Sequence, residues 1–106
     1  LGVGRFGLMT IKRMRELMMD RFGKTNFPHW RWLFIDTDTE TIQDALSGPT
    51  GVALTPQETL HLRLHRPTHY QRQSGNPYET WLPPDVLYRI PRDLLTGGIR
   101  SLGRLA

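Results

Sequence analysis

The chain has 106 residues, 38% of them hydrophobic and 23% charged, with a net charge of +4 and a pI near 10.1. That length allows one small domain with a single core, and no apolar run approaches the roughly 20 residues of a membrane-spanning helix. The lack of cysteine excludes disulfides, thiolate zinc sites and a cysteine nucleophile, and the expectation is a soluble, cytoplasmic, globular protein.

In chain order, a stump of apolar strand at Leu1 runs straight into the glycine-rich turn Gly2 to Gly7. No initiator methionine, secretory signal or transit sequence precedes it, so the expectation is a fragment of a longer protein. From Leu8 to Phe22, the residues Leu8, Ile11, Met14, Leu17, Met18 and Phe22 recur every third or fourth position, with Lys12, Arg13, Arg15, Glu16 and Asp20 between them. This is the pattern of an amphipathic helix. Gly23 stands where such a helix closes, and Pro28 follows where it can no longer continue. All four methionines fall between Met9 and Met19, and their helical spacing reads as core filling. Trp30 to Ile35, aromatic and β-branched and closed by Asp36, reads as a buried parallel strand. Strand, glycine turn, helix and strand make a βαβ unit with an expected right-handed crossover. Thr39 to Leu46 is a short helix with Ile42, Ala45 and Leu46 on one side, ended by Gly48-Pro49.

Leu60 to His65 alternates strictly between apolar and polar residues, which favours a half-buried strand. On either side, Ser47 to Glu58 and Arg66 to Pro84 are rich in turn-forming residues and read as long loops or an insertion; Ser74-Gly75 falls in the second. Asp85 to Ile90 is one or two helical turns after Pro83-Pro84, Thr96-Gly97-Gly98 a flexible turn, and Ser101 to Ala106 the opening of a helix. The expected organisation is a single partial domain: residues 1–46 as strand stump, loop, helix, strand and helix, 47–85 as a loop-rich insertion, and 86–106 as a second phosphate-side loop and helix start.

The chemistry resides in the loops. Gly2-Val3-Gly4-Arg5-Phe6-Gly7 fits G-x-G-x-x-G between a strand and a helix, where glycines let the backbone lie against a pyrophosphate facing the amides of a helix N-terminus. The basic balance of the chain suits such an anion. Its lysines and arginines are scattered from Arg5 to Arg104 with no run of five, and no aromatic RNA-binding motif or zinc spacing accompanies them, which argues against nucleic acid. Asp36 or Asp38, at the end of the second strand, stands where a dinucleotide fold holds a ribose. Asp36 lies well beyond the roughly 20 residues that fingerprint prefers, and NAD binding is the weaker alternative. Asp36 alternatively satisfies a strand end, Asp38 alternatively caps the helix after it, and Thr37 and Thr96 are candidate phosphate neighbours. His61, His65 and His69 recur every fourth residue, a metal-ligand spacing on a helix, but the alternation puts His61, Arg63 and His65 on the polar face of a strand. Trp30, Trp32 and Trp81 read as core or interface aromatics. Neither a nucleophile elbow nor a Walker loop is present, and no catalytic or metal-ligating residue is assigned.

The string from Gly2 to Met14 resembles the first nucleotide loop and helix of the tubulin/FtsZ superfamily, where a GVGGGGxNAVxRM-like string stands; Gly2, Val3, Gly4, Gly7, Arg13 and Met14 match directly. Leu33-Phe34-Ile35-Asp36-Thr37-Asp38 resembles that family's second strand and N-T-D loop, and is closer still to bacterial tubulin-like proteins that carry I-D-T-D there. Leu95-Thr96-Gly97-Gly98 followed by Gly103-Arg104-Leu105-Ala106 resembles the loop near the γ-phosphate and the helix after it. Arg5 and Phe6 stand where the family has glycines, and Met9 where it has an asparagine that contacts the nucleotide; Arg5 either offers charge to a phosphate or fills the loop.

The resemblance implies an α/β fold with a Rossmann-like parallel sheet and flanking helices, part of a tubulin-like GTPase domain. It further implies GTP or GDP with Mg2+ carried by the nucleotide, and self-association of the intact protein into cytoskeletal filaments. The implied nucleotide-binding residues are Gly2, Val3, Gly4, Arg5, Phe6, Gly7, Met9, Asp36, Thr37, Asp38, Thr96, Gly97 and Gly98. The family's G-G-G-T-G-T-G loop and the acidic loop inserted into a neighbouring subunit do not occur between Leu1 and Ala106. By that resemblance the chain holds the first half of a nucleotide site, binds nucleotide poorly and hydrolyses nothing alone. A non-catalytic interaction module that keeps the fold is the other alternative.

Overall fold

Three short parallel strands organise the first of two compact units, Leu1–His61. They are β1 (Gly2–Val3), β2 (Phe34–Asp36) and β3 (Thr59–His61), side by side in that order, with Gly2 opposite Phe34, Val3 opposite Ile35, and Asp36 opposite His61. Helix α1 (Gly4–Phe22) follows β1 and α2 (Thr39–Leu46) follows β2, so the unit is a Rossmann-like α/β arrangement whose strands all end on one side. The structure, a computed structural model, describes residues 1–72, 75 and 77–106. Ser74 lies outside the described residues.

Helix α1 starts at Gly4, one turn before its apolar periodicity begins. The first turn carries no signal because Gly4 and Gly7 lack side chains and Phe6 points into solvent, 81% exposed. The helix ends as expected: Gly23, at φ 69°, donates its N–H to the Met19 carbonyl at 2.9 Å. The β2 strand is shorter than the apolar run from Trp30: its pairing with β1 opens at Phe34, opposite Gly2. Likewise β3 covers only the start of the alternating segment, because β2 ends at Asp36 and Leu62 onward has no strand beside it. Leu8 and Ile11 of α1, Trp32, Phe34, Ala45 of α2 and Leu54 form the core, with Met18 and Ile42 packed against it.

The buried stripe of α1 is not the most apolar one. Leu8, Ile11 and Arg15 are buried, while Met9, Met14, Leu17 and Phe22 are exposed. Of the methionines, Met18 packs on the core and Met19 lies over Gly51, where a Cβ would stand 2.8 Å from its Sδ. Arg15 is only 4% exposed, and each of its three guanidinium nitrogens donates a hydrogen bond. Nε donates to the Gly51 carbonyl at 3.0 Å, one terminal nitrogen to the Ala53 carbonyl at 3.1 Å, and the other to both Glu58 oxygens at 3.0 and 3.1 Å. The Trp32 ring lies 5.6 Å beneath its carbon, and Trp32 donates its indole N–H to the Thr25 carbonyl at 3.1 Å. Buried arginine is tolerated on these terms, because a carboxylate partner and hydrogen bonds from every nitrogen offset its desolvation. At the other edge of α1, Lys12 donates to the carbonyls of Asp44, in the last turn of α2, and Ser47, its C-cap, where a cation also meets the negative end of the helix dipole.

Among the described residues the second unit, Leu62–Ala106, contains three short α-helices, α3 (Pro67–Gln71), α4 (Pro84–Tyr88) and α5 (Arg100–Leu105), and a 3-10 turn at Pro77–Thr80. Pro67 and Pro84 open the first two, a position that requires no N–H donor and favours the fixed φ of proline. Tyr70, Tyr78, Leu82 and Leu87 make its core, with Trp81, Ile90 and Leu105 against it. The Tyr78 hydroxyl donates to the Tyr70 carbonyl, and Arg104 lies 4.2 Å over the Trp81 ring. His65 and His69 stack ring on ring at 4.0 Å. Among the described residues no helix is long and apolar enough to cross a membrane.

Candidate functional site at the carboxyl ends of the strands

In open parallel sheets, ligands meet the protein beyond the carboxyl ends of the strands, where loops and helix N-termini converge. Here that edge is built from the β1–α1 turn, the β2–α2 loop and the end of β3.

The β1–α1 turn is closed so tightly that two of its glycines cannot be replaced. A Cβ on Gly7 would stand 2.8 Å from the carbonyl carbon of Gly2, and one on Gly2 would stand 2.8 Å from the Gly7 oxygen and 2.6 Å from Ile11 Cδ1. Gly4 differs. Its φ of +69° is left-handed, strained for any side chain, yet nothing lies within 4 Å of the place a Cβ would take. The open space lies at the amino end of a 19-residue helix whose N-cap, Val3, supplies no side-chain acceptor and whose first turn holds no acidic residue. The first amides of α1 therefore keep their positive end of the helix dipole uncompensated by side chains.

The β2–α2 loop is held by its two aspartates. Asp36 Oδ1 accepts from the amides of Thr37 at 2.6 Å and Asp38 at 3.1 Å; its other oxygen accepts from none of the described residues. Asp38 caps α2: its carboxylate accepts from the Glu40 amide, the Thr41 amide and, at 2.6 Å, the Thr41 hydroxyl. The Thr41 hydroxyl above all, with both amides and the positive charge of Arg5, holds the Asp38 carboxyl below its ordinary value against the opposing effect of burial. The two loops are neighbours because the strands that lead into them, β1 and β2, are paired side by side, Val3 opposite Ile35. At the end of β3, His61 Nε2 lies 3.1 Å from the Thr37 carbonyl.

A family model described as tubulin like matches residues 1–106. The chain belongs to the tubulin-like family. No curated protein and no solved structure matches it.

In this tubulin-like chain the structure brings together Gly2, Val3, Gly4, Arg5 and Gly7 with Asp36, Thr37 and Asp38, around the ends of two adjacent parallel strands. Phe6 and Met9 project from the first turns of α1 into solvent, Met9 being 63% exposed. Thr96, Gly97 and Gly98 lie in the second unit, in a turn where the Ile99 amide donates to the Thr96 carbonyl at 2.8 Å and both glycines have positive φ. Of the two readings open for Asp38, the helix cap is realised in the geometry. His61 escaped the sequence reading as a member of this edge. Its place at the end of an alternating run was the available signal, but strand pairing was needed to set it beside Asp36.

Losing the Asp38 cap has a measurable consequence. Asp38→Ala is expected to lower stability by about 1 kcal/mol at neutral pH. Because the folded carboxyl titrates below its unfolded value of 3.8, its contribution is present above that pH and lost as pH falls through the folded value. Urea unfolding of both proteins should show a gap at neutral pH that narrows below pH 3.8; a gap constant with pH would remove the carboxylate from the cap.

Proposed function

We propose that this tubulin-like protein binds a guanine nucleotide, GTP or GDP with its magnesium ion, at the β1–α1 turn. In the intact protein this would serve GTP hydrolysis and assembly into cytoskeletal filaments of a bacterial type. The observation that carries the reading is Gly4: a left-handed glycine with open space above it, at an uncapped helix N-terminus, on the carboxyl edge of a parallel sheet in a tubulin-like chain. A side chain there would fill the space a phosphate needs.

In this reading Gly2 and Gly7 permit the tight turn, and the amides from Gly4 onward hold phosphate oxygens by hydrogen bonds that the helix dipole reinforces. Arg5, exposed on the same turn, adds mobile positive charge without being locked in an ion pair with a described residue. The second oxygen of Asp36 and the Thr37 hydroxyl, neither engaged by a described residue, would hold the water shell of the magnesium ion. When bound, the magnesium ion would neutralise phosphate charge. In this reading these loops bind and orient the nucleotide, and no catalytic step is assigned to them.

Thermal-shift and calorimetric titrations of the full-length protein with GTP, ATP and NAD test this. Stabilisation selective for GTP is expected. A response to NAD alone would make the turn a dinucleotide site, and no response to any of them would leave a fold retained for interaction only.

A further inference from the structure

The Thr37 peptide is gripped from both sides by neighbouring strands. Asp36 and His61 stand opposite each other in the parallel β2–β3 register, and residues so paired project their side chains from the same face of the sheet. From that face Asp36 takes the Thr37 amide at 2.6 Å, and the His61 ring nitrogen meets the Thr37 carbonyl at 3.1 Å. Both polar groups of one loop residue are thus consumed by two strand ends. The Thr37 hydroxyl makes no hydrogen bond to a described residue, and neither does the second oxygen of Asp36. A loop held this way has its backbone satisfied and its ligand-capable atoms spare, which is the condition for a preorganised site.

A carbonyl oxygen can only accept, so the contact requires a hydrogen on His61 Nε2. We infer that His61, acting with Asp36, is the positioning residue of the nucleotide site: donating from Nε2 to the Thr37 carbonyl, it holds the β2–α2 loop in the orientation that presents Thr37 and Asp36 to the ligand. This rests on the guanine-nucleotide reading above. His61 does not touch the ligand; it acts through the Thr37 peptide. The neighbouring cap at Asp38 orders the loop from its far end, so removing His61 loosens the middle of the loop without dissolving α2.

The donor requirement sets the experiment. In the full-length protein, His61→Leu removes the donor while keeping an apolar side chain of similar reach, and His61→Gln restores an amide N–H near the position of Nε2. His61→Leu is expected to weaken GTP binding by about tenfold, the scale of one lost hydrogen bond to a half-buried carbonyl, and His61→Gln to recover most of it. A purely structural role would not discriminate between the two by donor chemistry. Nitrogen NMR of the wild-type imidazole supplies a reading that needs no nucleotide: the hydrogen is expected on Nε2 at neutral pH. GTP binding by the wild type that is unchanged in His61→Leu would overturn the positioning role and leave the nucleotide reading intact. Absence of any nucleotide binding by the wild type would overturn both. Should His61→Leu fail to fold, an imidazole with its hydrogen on Nδ1 alone, or a His61→Gln protein that binds GTP no better than a fully disabled site, overturns the inference.

Discussion

Arg15→Met is expected to destabilise the protein by about 3 kcal/mol, the scale of breaking a buried ion pair from one side. Methionine fills much of the arginine's volume on α1, so the cost comes mainly from what the guanidinium leaves behind. The Ala53 carbonyl loses its donor, the Gly51 carbonyl keeps only the Thr25 hydroxyl, the half-buried Glu58 carboxylate loses its countercharge, and the Trp32 ring loses its cation. Arg15→Lys is expected to be nearly as damaging, since a single ammonium cannot serve acceptors spread over three segments. Glu58 also accepts from the Thr55 amide at 2.8 Å, which fixes the turn leading into β3. Denaturant unfolding of the wild type, Arg15→Met, Glu58→Gln and the double variant measures the coupling. The double variant is expected to recover at least about 1 kcal/mol relative to the sum of the singles, because it no longer buries an unpaired charge. Strict additivity would mean that Arg15 and Glu58 act independently and that the contact is incidental.

The second large effect is at the glycine turn, where two substitutions should fail for different reasons. Gly7→Ala places a Cβ 2.8 Å from the Gly2 backbone, with no flexible side chain to yield, so β1 and α1 must separate. A loss of about 2 kcal/mol or more in stability is expected, since the overpacked atoms are backbone. Gly4→Val meets no atom within 4 Å, but forces a β-branched residue to φ +69° at a cost of about 1–2 kcal/mol. Its main effect should be on ligand affinity: the valine side chain occupies the open space over the first amides of α1, and GTP binding is expected to be abolished while the fold survives. Calorimetry for binding and thermal unfolding for stability separate the two variants. Unchanged affinity in a folded Gly4→Val protein would sink the phosphate-loop assignment.

Local signals carried much of the architecture. The three- and four-residue spacing from Leu8, with Gly23 beyond it, marked α1 and its end, and Asp38 before Thr39 marked α2, because caps and helical periodicity are properties of a few consecutive residues. The glycine turn was equally legible, as its constraint is steric and local. Strand lengths were not. Trp30 to Leu33 and Leu62 to His65 have the composition of strands, but the paired residues are Phe34–Asp36 and Thr59–His61, and pairing is set by partners distant in the chain. Nor was the buried stripe of α1 legible. Leu8, Ile11, Arg15 and Met18 share the same spacing as the more apolar set containing Met14 and Leu17, and hydrophobicity alone selects the wrong one.

From the sequence alone follow the parallel α/β plan, the glycine turn at the head of α1, the Asp36-Thr37-Asp38 loop and the tubulin-like resemblance, all of them encoded in short contiguous strings. Only the tertiary structure decided that Arg15 belongs inside, that Gly4 faces open space while Gly2 and Gly7 touch, and that His61 reaches back to Thr37. The placing of Arg15 and of His61 depends on residues brought together across the sheet or between α1 and the segment before β3, over 24 to 43 positions of chain. Such pairings exist only after folding, so no local periodicity encodes them.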